Sequence, residues 1–413
     1  MVAIRRTCTV LALLLAACDA ATVSRPPADP PARSDSPDPD APGPAVALAA
    51  GNFHTCALLR DGTVRCWGMG ADGQLGDGAA VQRDTPVRAG ELADVVQIVA
   101  EGNRTCAVRR GGDVWCWGHG ASAELGDQAR DDRTRPVHIP VWRDVRALAL
   151  GMDHDCAIVR DGRALCRGTN ERGDLGDGTR EPRDLPVPAV GLDDATAIGV
   201  GYAFSCALQA GRVLCWGWAD GGRCGDDSAD DHLVPTALRK LQHVADLAVG
   251  FDHACAVLED SRVICWGANI FGQLGNGTVL TPPRPFAVPH LTGVAAIAAA
   301  QHQTTAVLAD GTALGWGRDG GLWPACTAPG ARETAGRRGP AWATGPAEPY
   351  CKSPAPIAQL AGVARVVSAS LHACALLRGG QVWCWGSDAY GSLGDVATGD
   401  REHPVQVDLE SPR

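Results

Sequence analysis

One pattern returns seven times along this chain, and it constrains the fold more than any other feature. It reads GNFHTCALLRDGTVRCWGMGADGQLGDG from Gly51, GNRTCAVRRGGDVWCWGHGASAELGD from Gly102, GMDHDCAIVRDGRALCRGTNERGDLGDG from Gly151 and GYAFSCALQAGRVLCWGWADGGRCGD from Gly201. The fifth copy, GFDHACAVLEDSRVICWGANIFGQLGNG, starts at Gly250. The sixth, QHQTTAVLADGTALGWG, starts at Gln301 and is interrupted, and the seventh, SLHACALLRGGQVWCWGSDAYGSLGD, starts at Ser370. The first cysteine of each copy stands at 56, 106, 156, 206 and 255, then comes Thr305, then 374, so the interval is 49 or 50 until an insertion stretches the last one. A unit of this size cannot bury an apolar face alone and must stack on its neighbours.

Within each unit four short strand-like runs follow one another. The first is small and apolar, as in AVALAAG (45–51) or AAIAAA (295–300). HTCALL and VRCWG come next across a tight turn, and a run after proline, such as Pro86-Val87 or Pro404-Val405, closes the unit. The chain carries 51 Gly and 28 Pro with 5% aromatic residues, which favours many strands joined by turns. Four strands per unit and seven units predict an all-β, seven-bladed β-propeller of antiparallel blades over residues 45–410. The Ala-rich run is expected innermost, where converging blades leave room only for small side chains.

These residues resemble RCC1 (regulator of chromosome condensation) repeats, in the bacterial form that reads H-T-C-A-L…D-G-x-V-x-C-W-G…G-Q-L-G-D-G. The resemblance covers residues 45–410. The Trp is followed by Gly, unlike the Trp-Asp of WD40 units, and neither the kelch double glycine nor the sialidase Asp-box is present.

The cysteines test the hairpin geometry. Cys56 and Cys66 flank Arg60-Asp61-Gly62; a three-residue loop with Gly62 left-handed pairs Leu59 with Thr63 and brings the two cysteines opposite each other. In the fourth unit the loop shrinks to Ala210-Gly211 and Cys206 again faces Cys215. The sixth unit loses both cysteines together, as Thr305 and Gly315. Spacings of nine or ten do not match zinc ligation. Disulfides are therefore expected at Cys56–Cys66, Cys106–Cys116, Cys156–Cys166, Cys206–Cys215, Cys255–Cys265 and Cys374–Cys384, with Cys326–Cys351 closing the base of the insertion. Cys224, in the place of Leu75, is expected to be a buried small hydrophobe. So many of the 17 Cys in pairs point to an oxidising compartment.

Residues 1–18, MVAIRRTCTVLALLLAAC, read as an address. Arg5 and Arg6 form a basic start, and the apolar run Val10–Ala17 is too short to span a bilayer. Leu15-Ala16-Ala17-Cys18 resembles the bacterial lipobox, which implies a lipid on Cys18 and an envelope location, at the outer membrane or cell surface. Residues 19–44, rich in Pro, Ala, Asp and Ser, are expected to be a disordered tether. The net charge of −10 disfavours a nucleic-acid partner.

No residue set stands apart as catalytic. Histidine recurs at His54, His154, His253 and His372, with Arg104, Phe204 and Gln303 elsewhere, which reads as strand-end packing because a catalytic imidazole is needed once. Trp67, Trp117, Trp216, Trp266, Trp316 and Trp385, with Arg167 as the departure, read as blade packing. Asp77, Asp127, Asp177, Asp226, Asp395 and Asn276 read as turn residues. No cofactor and no metal is expected. The insertion between Arg318 and Pro356 holds Trp323, Trp342, Tyr350, Arg332, Arg337 and Arg338, a composition common at binding hot spots; it reads equally as a disordered excursion pinned at its base. The expected function is a non-catalytic, monomeric recognition scaffold at the cell surface, binding a protein or glycan through one propeller face and the insertion. The alternative is regulation of a partner enzyme: the resemblance implies guanine-nucleotide exchange on a small GTPase or inhibition of an extracellular enzyme such as a β-lactamase, and a glycan-cleaving propeller is a remote third.

Overall fold

The computed structural model describes residues 43–410 apart from 121–130, 229, 283, 321, 324–325, 327–331, 335–348, 358–359 and 398, and of 332–334 the backbone alone. The leader 1–18 and nearly all of the tether therefore lie outside the described residues.

Seven antiparallel sheets, each formed from one contiguous stretch of chain, make a seven-bladed β-propeller. The innermost strands are Ala45–Ala50, Val95–Glu101, Val145–Leu150, Ala195–Val200, Val244–Val249, Val294–Ala300 and Val363–Ser368. They line a central channel with Ala, Gly and Val, as the small-residue pattern anticipates. The outermost strands carry the proline runs, for example Arg83–Arg88 and Arg401–Val407. An edge position is where a residue lacking N–H is tolerated in a sheet.

The hairpin register matches the cysteine argument. Gly62 sits at φ 81°, Leu59 N donates to Thr63 O at 2.9 Å, and Cys56 lies opposite Cys66. In blade four Ala210 and Gly211 both take positive φ, and Cys206 still faces Cys215. The six hairpin pairs have Cα atoms 4.1 Å apart and sulfurs within bonding distance, and Cys326 and Cys351 are also bonded.

Ring closure requires no exchanged strand. Blade seven meets blade one through Ala45 N donating to Gly380 O at 3.2 Å, Trp67 Nε1 donating to Ser392 O at 3.0 Å, and a Thr55–His372 hydrogen bond of 2.7 Å.

Candidate functional site

The recurring histidines are structural. His54 Nε2 bonds Thr105 Oγ1 at 2.7 Å, His154 bonds Ser205 at 2.8 Å, His253 bonds Thr304 at 2.9 Å, and His372 bonds Thr55 at 2.7 Å. Each ring reaches the residue before the first-cysteine position of the next blade. Thr105 and Thr304 hydroxyls donate onward to the carbonyls of Gln74 and Gln273, so the imidazole Nε2–H is the donor and the neutral Nδ1 is bare at His54, His154 and His253. Burial holds His54 down at about 3, with help from His372, and His154 and His372 at about 4. Where the next blade offers no hydroxyl, the first residue changes too: Phe204 precedes Ala254, and Gln303 precedes Ala373. Where it offers a carboxylate, Arg104 appears and bonds Asp155 at 2.5 and 3.1 Å. Burial opposes the Asp155 charge, but Arg104 and Arg167 together hold its carboxyl below the usual range. Gly51 permits this packing, because a Cβ there would lie 2.2 Å from His54 Cε1.

The tryptophans join blades in the opposite sense. Trp67, Trp117, Trp216, Trp266, Trp316 and Trp385 are fully buried. Each donates its indole N–H to a carbonyl of the preceding blade: Ser392, Gln74, Asp174, Arg223, Gln273 and Leu322, at 2.8–3.0 Å. Arg167, in the odd position, bonds Asp155 and lies 5.7 Å from the Trp142 ring. Asp77, Asp177, Asp226, Asp395 and Asn276 accept the backbone N–H two residues on, the turn role read from sequence; Asp127 lies outside the described residues. Cys224 is buried, and burial first, then Asp226 and Asp231, push its thiol pKa up, so thiolate is disfavoured.

The insertion requires a correction. Trp323 and Tyr350 are 0% and 4% exposed and cannot present a surface to a partner. Leu322 takes the carbonyl role of Gln74, and Trp323 takes the place of Leu75 and fills the space beside Gly315: a Cβ on Gly315 would lie 2.2 Å from the indole. The lost cysteine pair and the enlarged core residue are thus one exchange. Asp319 Oδ1 accepts Trp323 N at 2.8 Å, as Asn269 accepts Leu274 N. Of the other expected contact residues, Arg332 lies on a short strand, Arg332–Thr334, paired with Tyr350 and its neighbours, while Trp342, Arg337 and Arg338 lie outside the described residues.

A different cluster emerges at one end of the channel. Strands alternate in direction, so first-to-second and third-to-fourth connections all lie on one face, and the insertion is such a connection. Its base, at Gly320, abuts Ser370 and Leu371 of blade seven. Around the channel mouth run Asn52, Gly102, Met152, Tyr202, Phe251, Gln301 and Ser370. Asn52 N bonds Gly102 O at 2.8 Å, Tyr202 N bonds Phe251 O at 2.7 Å, and Phe251 N bonds Gln301 O at 3.1 Å. The Gln301 amide donates to Asn52 Oδ1 and Ser370 Oγ at 2.9 and 2.8 Å. The Tyr202 and Phe251 rings stack at 4.8 Å, and Trp218, with the Arg223 guanidinium 4.0 Å from its ring, stands edge-on to Tyr202. Beside them burial opposes the Asp252 charge, but the neighbouring imidazoles of His253 and His302, with ring nitrogens 3.8 and 3.3 Å from its carboxylate, hold it far below the usual range. Sequence reading passed over these residues because they occupy the variable positions of the repeat.

A model of the RCC1-like domain matches residues 19–286, and a model of the RCC1 repeat matches residues 363–392. No curated protein is similar enough in sequence to match. Prp20p of Saccharomyces cerevisiae, described with its binding to Gsp1p and histones, has a TM-score of 0.70 at 21% identity over 89% of this chain and 86% of its own. Yeast RCC1 (Prp20) bound to Kap60 gives 0.71 at 19% identity, covering 94% and 91%. Human WBSCR16 gives 0.68 at 20% identity, covering 84% and 95%. At such identities the likeness is one of fold.

Proposed function

The chain belongs to the RCC1-like domain family, and from that premise we propose that it is a non-catalytic recognition scaffold of the cell envelope, binding a protein or glycan through the face that carries the channel mouth and the blade-six insertion. One observation carries this reading: the groups that could have done chemistry around the ring, His54, His154, His253, His372, Arg104 and Asp155, are consumed in bonds between blades, while unpaired variation and aromatic surface gather on a single face. Rigid scaffolds with variable loops on one side are suited to selective binding. Prp20p, which shares the fold, is described with protein partners: Gsp1p, histones and Kap60. Export and lipid attachment at Cys18 are supported by the leader and by seven cysteine pairs at bonding distance, an arrangement suited to an oxidising compartment.

The test is affinity capture from envelope extract, comparing the whole chain with a variant in which residues 327–348 are replaced by a short Gly/Ser linker, keeping Trp323, Cys326, Tyr350 and Cys351 in the core. Loss of a captured partner in the variant supports the insertion as part of the surface. Unchanged capture by the variant and by Tyr202→Ala with Trp218→Ala removes this face from the account.

A further inference from the structure

We propose that the channel mouth binds one organic cation, an ammonium or guanidinium group, held between the Glu101 carboxylate and the stacked rings of Tyr202 and Phe251. A single ring position sets blade two apart. Counted five residues before the first cysteine, six blades have Gly51, Gly151, Gly201, Gly250, Ala300 and Ala369, and blade two has Glu101. All seven line the same cavity, and Glu101 is the one carboxylate among its lining residues. A side chain that breaks a ring of Gly and Ala at the channel mouth is not needed for blade packing, which the other six units achieve without it.

The cation that faces the carboxylate is already engaged elsewhere. Arg104, opposite it on the adjacent strand, is committed to Asp155 and to Gly151 O. Among the described residues Glu101 makes no ion pair, and its carboxyl accepts the N–H of Gly102. Glu101 is half-buried, and even partial withdrawal of a carboxylate from water without a paired cation is unfavourable. Burial accordingly raises its pKa to about 7, against the attraction of Arg104. A cation entering the mouth would supply what the described residues do not.

The walls suit such a guest. The cavity of about 100 Å³ exceeds the space a single water needs and matches a methylated ammonium or the end of a lysine or arginine. Tyr202 and Phe251 lie almost parallel, 10° apart, and aromatic faces attract cations. The loop bonds that cinch the ring run between blades one and two and from blade four round to blade one. Met152, 49% exposed, stands in blade three, between the blades of Glu101 and Tyr202. An anion would be repelled there, and a neutral apolar group would only desolvate the carboxylate further.

The cation can come from two sources, a basic side chain on a partner protein or a free small molecule. The proposal deepens the reading of this face as the recognition surface, and its test stands apart from partner capture: a chain that captures a partner yet binds no cation fails here alone. The full oxidised chain is titrated by NMR with tetramethylammonium chloride, N-acetyl-lysine amide and N-acetyl-norleucine amide at matched ionic strength, with sodium chloride as the control. Expected are saturable shifts at the mouth residues with one or both cations and none with norleucine amide. Lysine amide binding points to a protein side chain, and tetramethylammonium binding alone to a small molecule. Glu101→Gln should weaken the affinity roughly tenfold, and Tyr202→Leu by about threefold. No saturable shift with either cation, equal affinity in Glu101→Gln, or equal binding of norleucine amide overturns the proposal.

Discussion

Replacing Thr105 with alanine takes away the oxygen that His54 Nε2 bonds at 2.7 Å and leaves the imidazole sealed from water. Nδ1 already has no partner, so the ring would hold no hydrogen bond at all. A buried donor stripped of its acceptor costs about 1–3 kcal/mol. The second bond lost, from Thr105 to Gln74 O, is partly made good because Trp117 Nε1 stays on the same carbonyl at 2.9 Å. The chain contains its own remedy: Phe204 and Ala254 occupy the equivalent positions at the boundary of blades four and five and share one apolar cluster. Gly201 gives Phe204 the room that Gly51 gives His54, a Cβ at either falling 2.2 Å from the ring. Adding His54→Phe to Thr105→Ala should therefore recover most of the loss, an apparent coupling of about 1–2 kcal/mol. Equilibrium guanidinium denaturation with disulfides intact reads this as a midpoint that falls in Thr105→Ala and returns in the double variant. A double variant no more stable than Thr105→Ala would refute the view that these pairs are matched units.

Acid should weaken the fold through the same rings. His54, His154 and His372 are neutral when folded, so their contribution is fully present above their unfolded pKa of 6.5 and lost as pH falls toward 4. Glu101 and Asp174, raised by burial to about 7, act in the opposite sense over pH 7 to 5; the net slope near pH 5 should be ~1 kcal/mol per pH unit, rising several-fold in Glu101→Gln/Asp174→Asn, as read by denaturation at pH 5 and 6. Trp323→Ala should cost about 3–5 kcal/mol, and restoring the hairpin pair by Thr305→Cys/Gly315→Cys should be tolerated only with Trp323→Leu, judged by thermal melts of the oxidised proteins. Each hairpin disulfide closes a loop of ten or eleven residues worth about 2–3 kcal/mol, so the reduced, denatured chain should fail to refold, measured by regain of far-ultraviolet signal. Cys18→Ser should abolish incorporation of radiolabelled palmitate and shift the protein out of the membrane fraction; retention of label in that variant would remove the lipid anchor from the account.

The cysteine ladder was legible because everything it needs lies within one hairpin: a turn of known length fixes the register, and Cys56 must face Cys66. The histidine pairs were not, since three acceptors stand 51 residues on, in the next blade, and the fourth, Thr55 for His372, stands 317 residues back across the ring closure, and the rule emerges only when Phe204–Ala254 and Arg104–Asp155 are set beside His54–Thr105. The core role of Trp323 does not show in the composition of the insertion, because only its first residues still occupy core positions of the repeat. Glu101 escaped notice for a reason of register: beginning the second copy at Gly102 hides that, counted from its cysteine, the glycine position is filled by a carboxylate. Packing within a unit follows from local pattern, while contacts between units require the copies to be aligned and compared.

The reading of one face as the recognition surface is tested most directly by hydrogen-exchange protection of the chain with its captured partner bound. The account predicts protection at Asn52, Met152, Tyr202, Phe251, Gln301 and the insertion, with the hairpin turns near Asp61, Gly162, Ala210 and Asp310 unchanged. Protection concentrated on those turns, at the opposite end of the channel, would contradict it.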